Sequence, residues 1–169
     1  MSKIVWFTGL SGSGKTTLSK IIIKKLQTKK YKVKHIDGDI FRKKKNINSF
    51  SRKNIILNNL LIINYIKKIQ KKFDYVVISV ISPLIKTRLI AKKYFKENYF
   101  EIFVFCDIKT LELRDTKGLY KKARRNEIKN LIGYNSKIKY ERSPYKNIFL
   151  RSNKSSISEC VKKIMSKII

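Results

Sequence analysis

This sequence has little cysteine, few acidic side chains and no long apolar run. Among 169 residues there are two cysteines, Cys106 and Cys160, too few and too far apart for a disulfide framework or a four-ligand zinc site. Both read as reduced structural thiols. No apolar segment is long enough to span a bilayer. The chain passes from Met-Ser-Lys straight into Ile4-Val5-Trp6-Phe7-Thr8, without the apolar stretch and small-residue cleavage site of a signal peptide. A cytoplasmic location is expected. No Pro/Gly-rich linker and no internal repeat breaks the chain, so residues 1–169 read as one domain, a length suited to a single compact core.

Acids are scarce beside bases: 41 Lys plus Arg against 11 Asp plus Glu leave a formal net charge of +30. Such an excess points toward a polyanionic partner. The chain is also rich in Ile, Asn and Lys and holds only Ala91 and Ala123 as alanines, a composition that AT-rich codons produce. Much of the lysine is therefore read as solvated surface. With 43% apolar and 11% aromatic residues, the chain can bury a core.

The apolar pattern alternates between strand and helix. Residues 4–8 form a β-branched and aromatic run that ends in a Gly/Ser cluster, after which Leu18, Ile21, Ile22 and Leu26 follow helical spacing. A second strand, 32–36, ends at Asp37-Gly38-Asp39, and a basic, Asn-rich loop is expected from Lys43 to Asn48. A helix over 51–70, a strand buried on both faces over 74–81, a helix after Pro83 through Lys96 and a strand over 99–105 follow. Residues 109–130 read as helix, interrupted at Gly118, and a strand from Asn147 to Leu150 precedes an amphipathic helix from Ser156. This order predicts an α/β fold with a parallel sheet and functional loops at the strands' C-terminal ends.

Gly9-Leu10-Ser11-Gly12-Ser13-Gly14-Lys15-Thr16 satisfies G-x-x-x-x-G-K-[ST] between a strand and a helix, the context this phosphate-binding loop requires. Its glycines let successive backbone N–H groups and the positive end of the next helix face an anion. Lys15 is expected on the β- and γ-phosphates of ATP and the Thr16 hydroxyl on Mg²⁺. The guanine-selecting segment of a GTPase is absent, and the chain is short for a motor or helicase. A small-molecule kinase remains. Such an enzyme needs a carboxylate to orient or deprotonate the acceptor hydroxyl. Asp39 is the first choice, while Asp37 suits a Mg²⁺-bound water or, alternatively, a turn carboxylate. Arg42, three residues beyond Asp39, can present its guanidinium to a substrate phosphate.

Four segments read together carry a family likeness: Phe7 through Thr17; Asp37-Gly38-Asp39-x-x-Arg42; Ile81-Ser82-Pro83; and Arg114-Asp115-x-Lys117-Gly118-Leu119-Tyr120-Lys121-Lys122-Ala123-Arg124. In order and spacing the chain resembles the adenylylsulfate (APS) kinases over residues 3 to about 133. The resemblance implies a P-loop kinase fold, a central parallel sheet flanked by helices on both faces, and a basic lid around Lys121 to Arg125 that closes over ATP. It implies ATP contacts from Gly9, Ser11, Gly12, Ser13, Gly14, Lys15, Thr16, Thr17, Arg114 and Arg124, with Asp39 and Lys15 catalytic and Thr16 and Asp37 at the metal. The acceptor would meet Arg42, Arg52, Asn54, Ile81, Ser82, Pro83, Lys117 and Leu131.

Departures from the family cluster on the acceptor side. Lys43-Lys44-Lys45-Asn46 replaces a His-Gly-Leu-Asn loop, Ile56 and Leu57 stand where two arginines are usual, and Leu131 replaces a stacking Phe. The Asp-Asp-Pro stretch becomes Asn135-Ser136-Lys137. Two acceptors therefore stay open, both phosphorylated on the 3′-hydroxyl: adenosine 5′-phosphosulfate, or a relative's substrate, cytidine diphosphoramidate, used in capsule modification. A different class, an ATP-dependent nucleic-acid-binding P-loop protein, is disfavoured because the lysines are spread over every segment and no RNA-binding motif is present. The expected partner is a small nucleotide acceptor, with neither nucleic acid nor membrane; a homodimer is compatible with the sequence.

Overall fold

The computed structural model describes residues 1–47, 49–144 and 148–169. Asn48, the far end of the expected basic loop, and Asn147, the start of the expected last strand, lie outside the described residues.

Five parallel strands form one sheet: β1 (Lys3–Thr8), β2 (Val33–Asp37), β3 (Tyr75–Ser79), β4 (Tyr99–Phe105) and β5 (Ile148–Arg151), in the order β2-β3-β1-β4-β5. Alternation along a strand sends successive side chains to opposite faces, and here both faces are covered, which explains the near-continuous apolar runs. Val5, Phe7, Val77 and Val104 pack against α1 (Lys15–Thr28) and α7 (Ile157–Ile168). Ile4, Trp6, Val76 and Ile78 pack against α3 (Arg52–Ile69) and α4 (Ile85–Phe95). β3 is buried throughout, and β1 is buried from Ile4 onward.

Local chemistry sets the helix starts. The Ser51 hydroxyl accepts the Asn54 amide at 3.2 Å and opens α3; Ser156 and Glu159 form a reciprocal capping box at α7. A helix not expected from the sequence follows β2 and takes in Lys43 and Lys44, the first residues of the loop expected over 43–48. Asp37 Oδ1 accepts the amides of Asp39 and Ile40 at 2.9 and 3.1 Å, starting α2 (Gly38–Lys44) directly off β2, with Arg42, Lys43 and Lys44 in the last turn where cations suit the helix dipole. The helical stretch expected over 109–130 with a break at Gly118 is α5 (Ile108–Arg114) and α6 (Leu119–Arg124); it breaks before Gly118 as expected but ends at Arg124, and residues 125–142 contain neither helix nor strand.

α6 holds the basic segment expected to form a lid. Its charged face carries Lys121, Lys122 and Arg124, while Tyr120 and Ala123 are buried beside Leu111 and Leu131. The Tyr120 hydroxyl donates to the Ser11 carbonyl at 2.9 Å, seating the lid on the phosphate loop. Among the described residues no helix is long and apolar enough to cross a membrane.

Candidate active site

β1 delivers its C-terminal end to a loop that only glycine can build. Gly9 has φ +141°, and a Cβ there would stand 2.3 Å from the Val104 carbonyl oxygen on β4. At the other end Gly14, at φ 97°, precedes α1 with no side-chain cap and no acid in the first turn. The first-turn amides and the positive end of the helix dipole thus face the loop without a protein anion to neutralise them.

Above this loop lies a cavity of about 430 Å³. Ser11, Gly12, Gly14, Lys15, Thr16 and Thr17 line its floor, Asp37 and Asp39 one wall, and Arg114 and Lys117 the lid side. Arg114 is fixed there by donating to the Ser152 hydroxyl at 3.2 Å and to the Ser152 carbonyl at 2.7 Å. Lys15 is buried and donates to the Leu10 carbonyl at 2.6 Å. Burial lowers its pKa to about 7; Asp39 and Asp37 oppose the fall and Lys117 adds to it.

A second cavity adjoins the first, and Asp39, Val80 and Ile81 border both. The carboxylate of Asp39 accepts from Lys117 at 2.7 Å. Burial by itself would raise the Asp39 pKa, but the Lys117 hydrogen bond and the charges of Lys117, Lys15 and Arg42 outweigh it and hold it below the ordinary value. Asp39 is therefore ionised at neutral pH. The second cavity is also lined by Arg42, Phe50, Asn54, Ser82, Pro83 and Ile132. It is narrow, about 30 Å³. Arg42 lies 4.2 Å above the Phe50 ring and donates to the Ile47 carbonyl at 2.9 Å, occupying the ring face that a flat ligand would take.

The wall after β3 is held from several directions. Ser82 has φ 46°, and its hydroxyl donates to Asn59 on α3 while its carbonyl accepts from Arg88 on α4. Thr8 on β1 donates to the Ile81 carbonyl at 2.5 Å and pairs with the Tyr140 hydroxyl at 2.8 Å. Arg88, fully buried, meets Glu101 at 3.3 Å and donates also to the Glu141 carbonyl.

Most of the residues singled out from the sequence are brought together. Gly9 and Ser13 shape the phosphate loop from behind without lining either cavity. Three others stand apart. Arg52 pairs with Glu141 at 3.7 Å and is largely exposed, and Arg124 pairs with Glu112 at 3.9 Å on the outer side of the lid. Leu131 is buried in the cluster with Leu111, Tyr120 and Ala123, and Ile132 beside it lines the second cavity. Sequence reasoning missed Ser152, Asn58, Asn59 and the Arg88–Glu101 pair. Ser152 comes from the far end of β5, and no local pattern marks it; two adjacent asparagines in the apolar α3 were the one readable signal.

Comparison with known proteins agrees with this geometry. The family model for adenylylsulphate kinase matches residues 1–151. A probable adenylyl-sulfate kinase of Archaeoglobus fulgidus is 35% identical over 145 residues, covering 85% of this chain and 93% of that protein. The adenylyl-sulfate kinase of Clostridium acetobutylicum is 34% identical over 163 residues, 96% of this chain and 80% of its own. Among solved structures, the Mycobacterium tuberculosis APS kinase in complex with AMPPNP and APS superposes with a TM-score of 0.86 at 30% identity, covering 99% of this chain and 97% of the other.

Proposed function

Because the chain belongs to the adenylylsulphate kinase family, we propose that this ATP-dependent phosphotransferase moves the γ-phosphate of ATP to the 3′-hydroxyl of adenosine 5′-phosphosulfate. The observation that carries the reading is that Asp39 borders two adjoining cavities, one floored by the phosphate loop and one walled by Arg42, Phe50, Asn54 and the Ser82-Pro83 turn. A group at that junction can hold an acceptor hydroxyl in line with a terminal phosphate. Asp39 is a weak base, because its pKa is depressed; it accepts the hydroxyl's hydrogen bond, aims the oxygen lone pair at phosphorus and takes the proton as the P–O bond forms. Lys15 and the α1 amides stabilise charge on the transferred group. Lys117, which touches Asp39 and belongs to the lid side, couples closure of the lid to alignment of the nucleophile.

Mg²⁺ fits this donor set: the Thr16 hydroxyl lines the nucleotide cavity, and Asp37 uses Oδ1 for its cap, leaving Oδ2 without a hydrogen bond among the described residues. These are hard oxygen ligands of the kind Mg²⁺ takes together with phosphates and water. When bound, the ion would neutralise charge on the β- and γ-phosphates.

A second acceptor, cytidine diphosphoramidate, has one observation in its favour. Phe50 is the single ring lining the acceptor-side cavity among the described residues, and one stacking surface tolerates a pyrimidine as well as a purine. The deciding experiment measures γ-phosphate transfer to a panel including both nucleotides. APS is expected to be used with kcat/KM of about 10⁴ M⁻¹s⁻¹ or more, and exclusive use of cytidine nucleotides refutes that choice. In the same assay Asp39→Asn is expected to lower kcat by roughly 10²- to 10⁴-fold with the KM for ATP little changed. Near-normal turnover would remove Asp39 from the mechanism.

A further inference from the structure

Asn58 on α3 lines the acceptor-side cavity, is 5% exposed, and its Oδ1 has no hydrogen-bond partner among the described residues. A buried carboxamide left unpaired is costly, and native structures seldom keep one without a use. Its neighbour shows the contrast. Asn59 is just as buried but is fully engaged, donating to the Ile55 carbonyl at 2.8 Å and accepting from Ser82. Asn59 therefore has a structural role, and the Asn58 carboxamide oxygen has no such engagement among the described residues.

The surroundings indicate what it awaits. Asn58 lies one helical turn beyond Asn54 and Ile55, on the same face of α3, and shares the cavity with Phe50, Pro83 and Ile132. These apolar and aromatic surfaces suit a flat ring. An unpaired carbonyl oxygen repels phosphate oxygens, whose natural partner in this cavity is the Arg42 guanidinium, and it attracts an uncharged N–H donor. An Asn carboxamide is also well shaped to pair with the amino-bearing edge of a nucleobase.

We propose that Asn58 is a specificity-determining residue for the acceptor, its carboxamide accepting a hydrogen bond from the exocyclic amine of a nucleobase whose ring lies against Phe50. The proposal rests on the acceptor reading above, and adenine and cytosine both carry the required amine. For the base to stack, the Arg42 guanidinium leaves the Phe50 ring and becomes free for the 5′-side phosphate.

The test compares acceptors that differ only at this group: APS against its counterpart with hydrogen in place of the 6-amino group, and cytidine diphosphoramidate against its 4-deamino counterpart. The wild-type enzyme is expected to favour the amino form of its acceptor by about tenfold or more in kcat/KM, because a site built around a hydrogen bond penalises a ligand that leaves it unpaired. Asn58→Leu should bring that ratio close to one, with the KM for ATP unchanged. Its melting temperature should be equal to or above the wild type's, since an apolar side chain replaces an unpaired amide. Equal use of amino and deamino acceptors by the wild type overturns the proposal without any variant, as does a ratio that survives in Asn58→Leu or a marked loss of thermal stability in that variant. A wild-type enzyme inactive on all four compounds overturns the acceptor reading and this proposal together, a result distinct from turnover without discrimination.

Discussion

Lys15 carries two demands that conflict at the level of a single side chain. It must be charged to hold a triphosphate, yet it is buried beside the Leu10 carbonyl, and burial lowers its pKa to about 7. Phosphate oxygens favour the ammonium form, so nucleotide binding must raise that pKa. Above pH 7 the free enzyme holds Lys15 largely neutral while the complex holds it charged. ATP binding at pH 8 is therefore expected to take up a proton, approaching one per site, whereas at pH 6 Lys15 contributes almost none. Above pH 7 the affinity should fall with rising pH, by up to about tenfold per unit. Calorimetry in buffers of different ionisation enthalpy reads the uptake directly, and a buffer-independent heat at pH 8 would refute the assignment. Asp39 works in the opposite sense: the cations around it keep its carboxylate ionised, so its proton release does not limit activity near neutrality.

At the scale of elements, the lid and the phosphate loop are joined by one hydroxyl. Tyr120 is buried and donates to the Ser11 carbonyl, so α6 cannot lift without exposing the ring and breaking that bond. Tyr120→Phe keeps the packing and removes the bond, loosening the lid by about 1 kcal/mol. Amide exchange over residues 119–124 should quicken in the variant and slow again when ATP binds; exchange equal to the wild type's would show that the hydroxyl does not hold the lid. Legibility at this scale was uneven for physical reasons. The strands read well because burial on both faces leaves long β-branched runs, and the bounds expected for β4 match those observed. α2 was not expected because its start depends on the Asp37 side chain turning back on its own backbone, while its last lysines, Lys43 and Lys44, were read as the start of a loop. The lid helix was read as too long because the lysines and arginines around 121–125 have good helix propensity, but Arg124 is the last helical residue.

Across the whole molecule, the donor half was written in contiguous motifs and the acceptor half was not. The wall that positions Ile81 and Ser82 depends on Thr8 meeting Tyr140 and on Arg88 meeting Glu101, pairings between residues 132 and 13 positions apart, and sequence periodicity carries no trace of such contacts. The buried Arg88–Glu101 pair ties α4, β4 and the segment around Glu141 to the acceptor-side wall. Arg88→Met removes the cation that faces the buried Glu101 carboxyl and should cost about 3–5 kcal/mol. Replacing both, Arg88→Met with Glu101→Leu, should cost clearly less than the sum of the single changes in denaturant titrations, and simple additivity would refute the coupling. The sheet's outer strands lead to a different consequence. β2 and β5 are five and four residues long and carry Lys34 and Arg151. Open strand edges invite pairing with another chain, and natural proteins blunt them with shortness and positive charge. With a net charge of +30, two copies approaching edge to edge repel each other, which opposes growth into fibres by a chain dense in isoleucine.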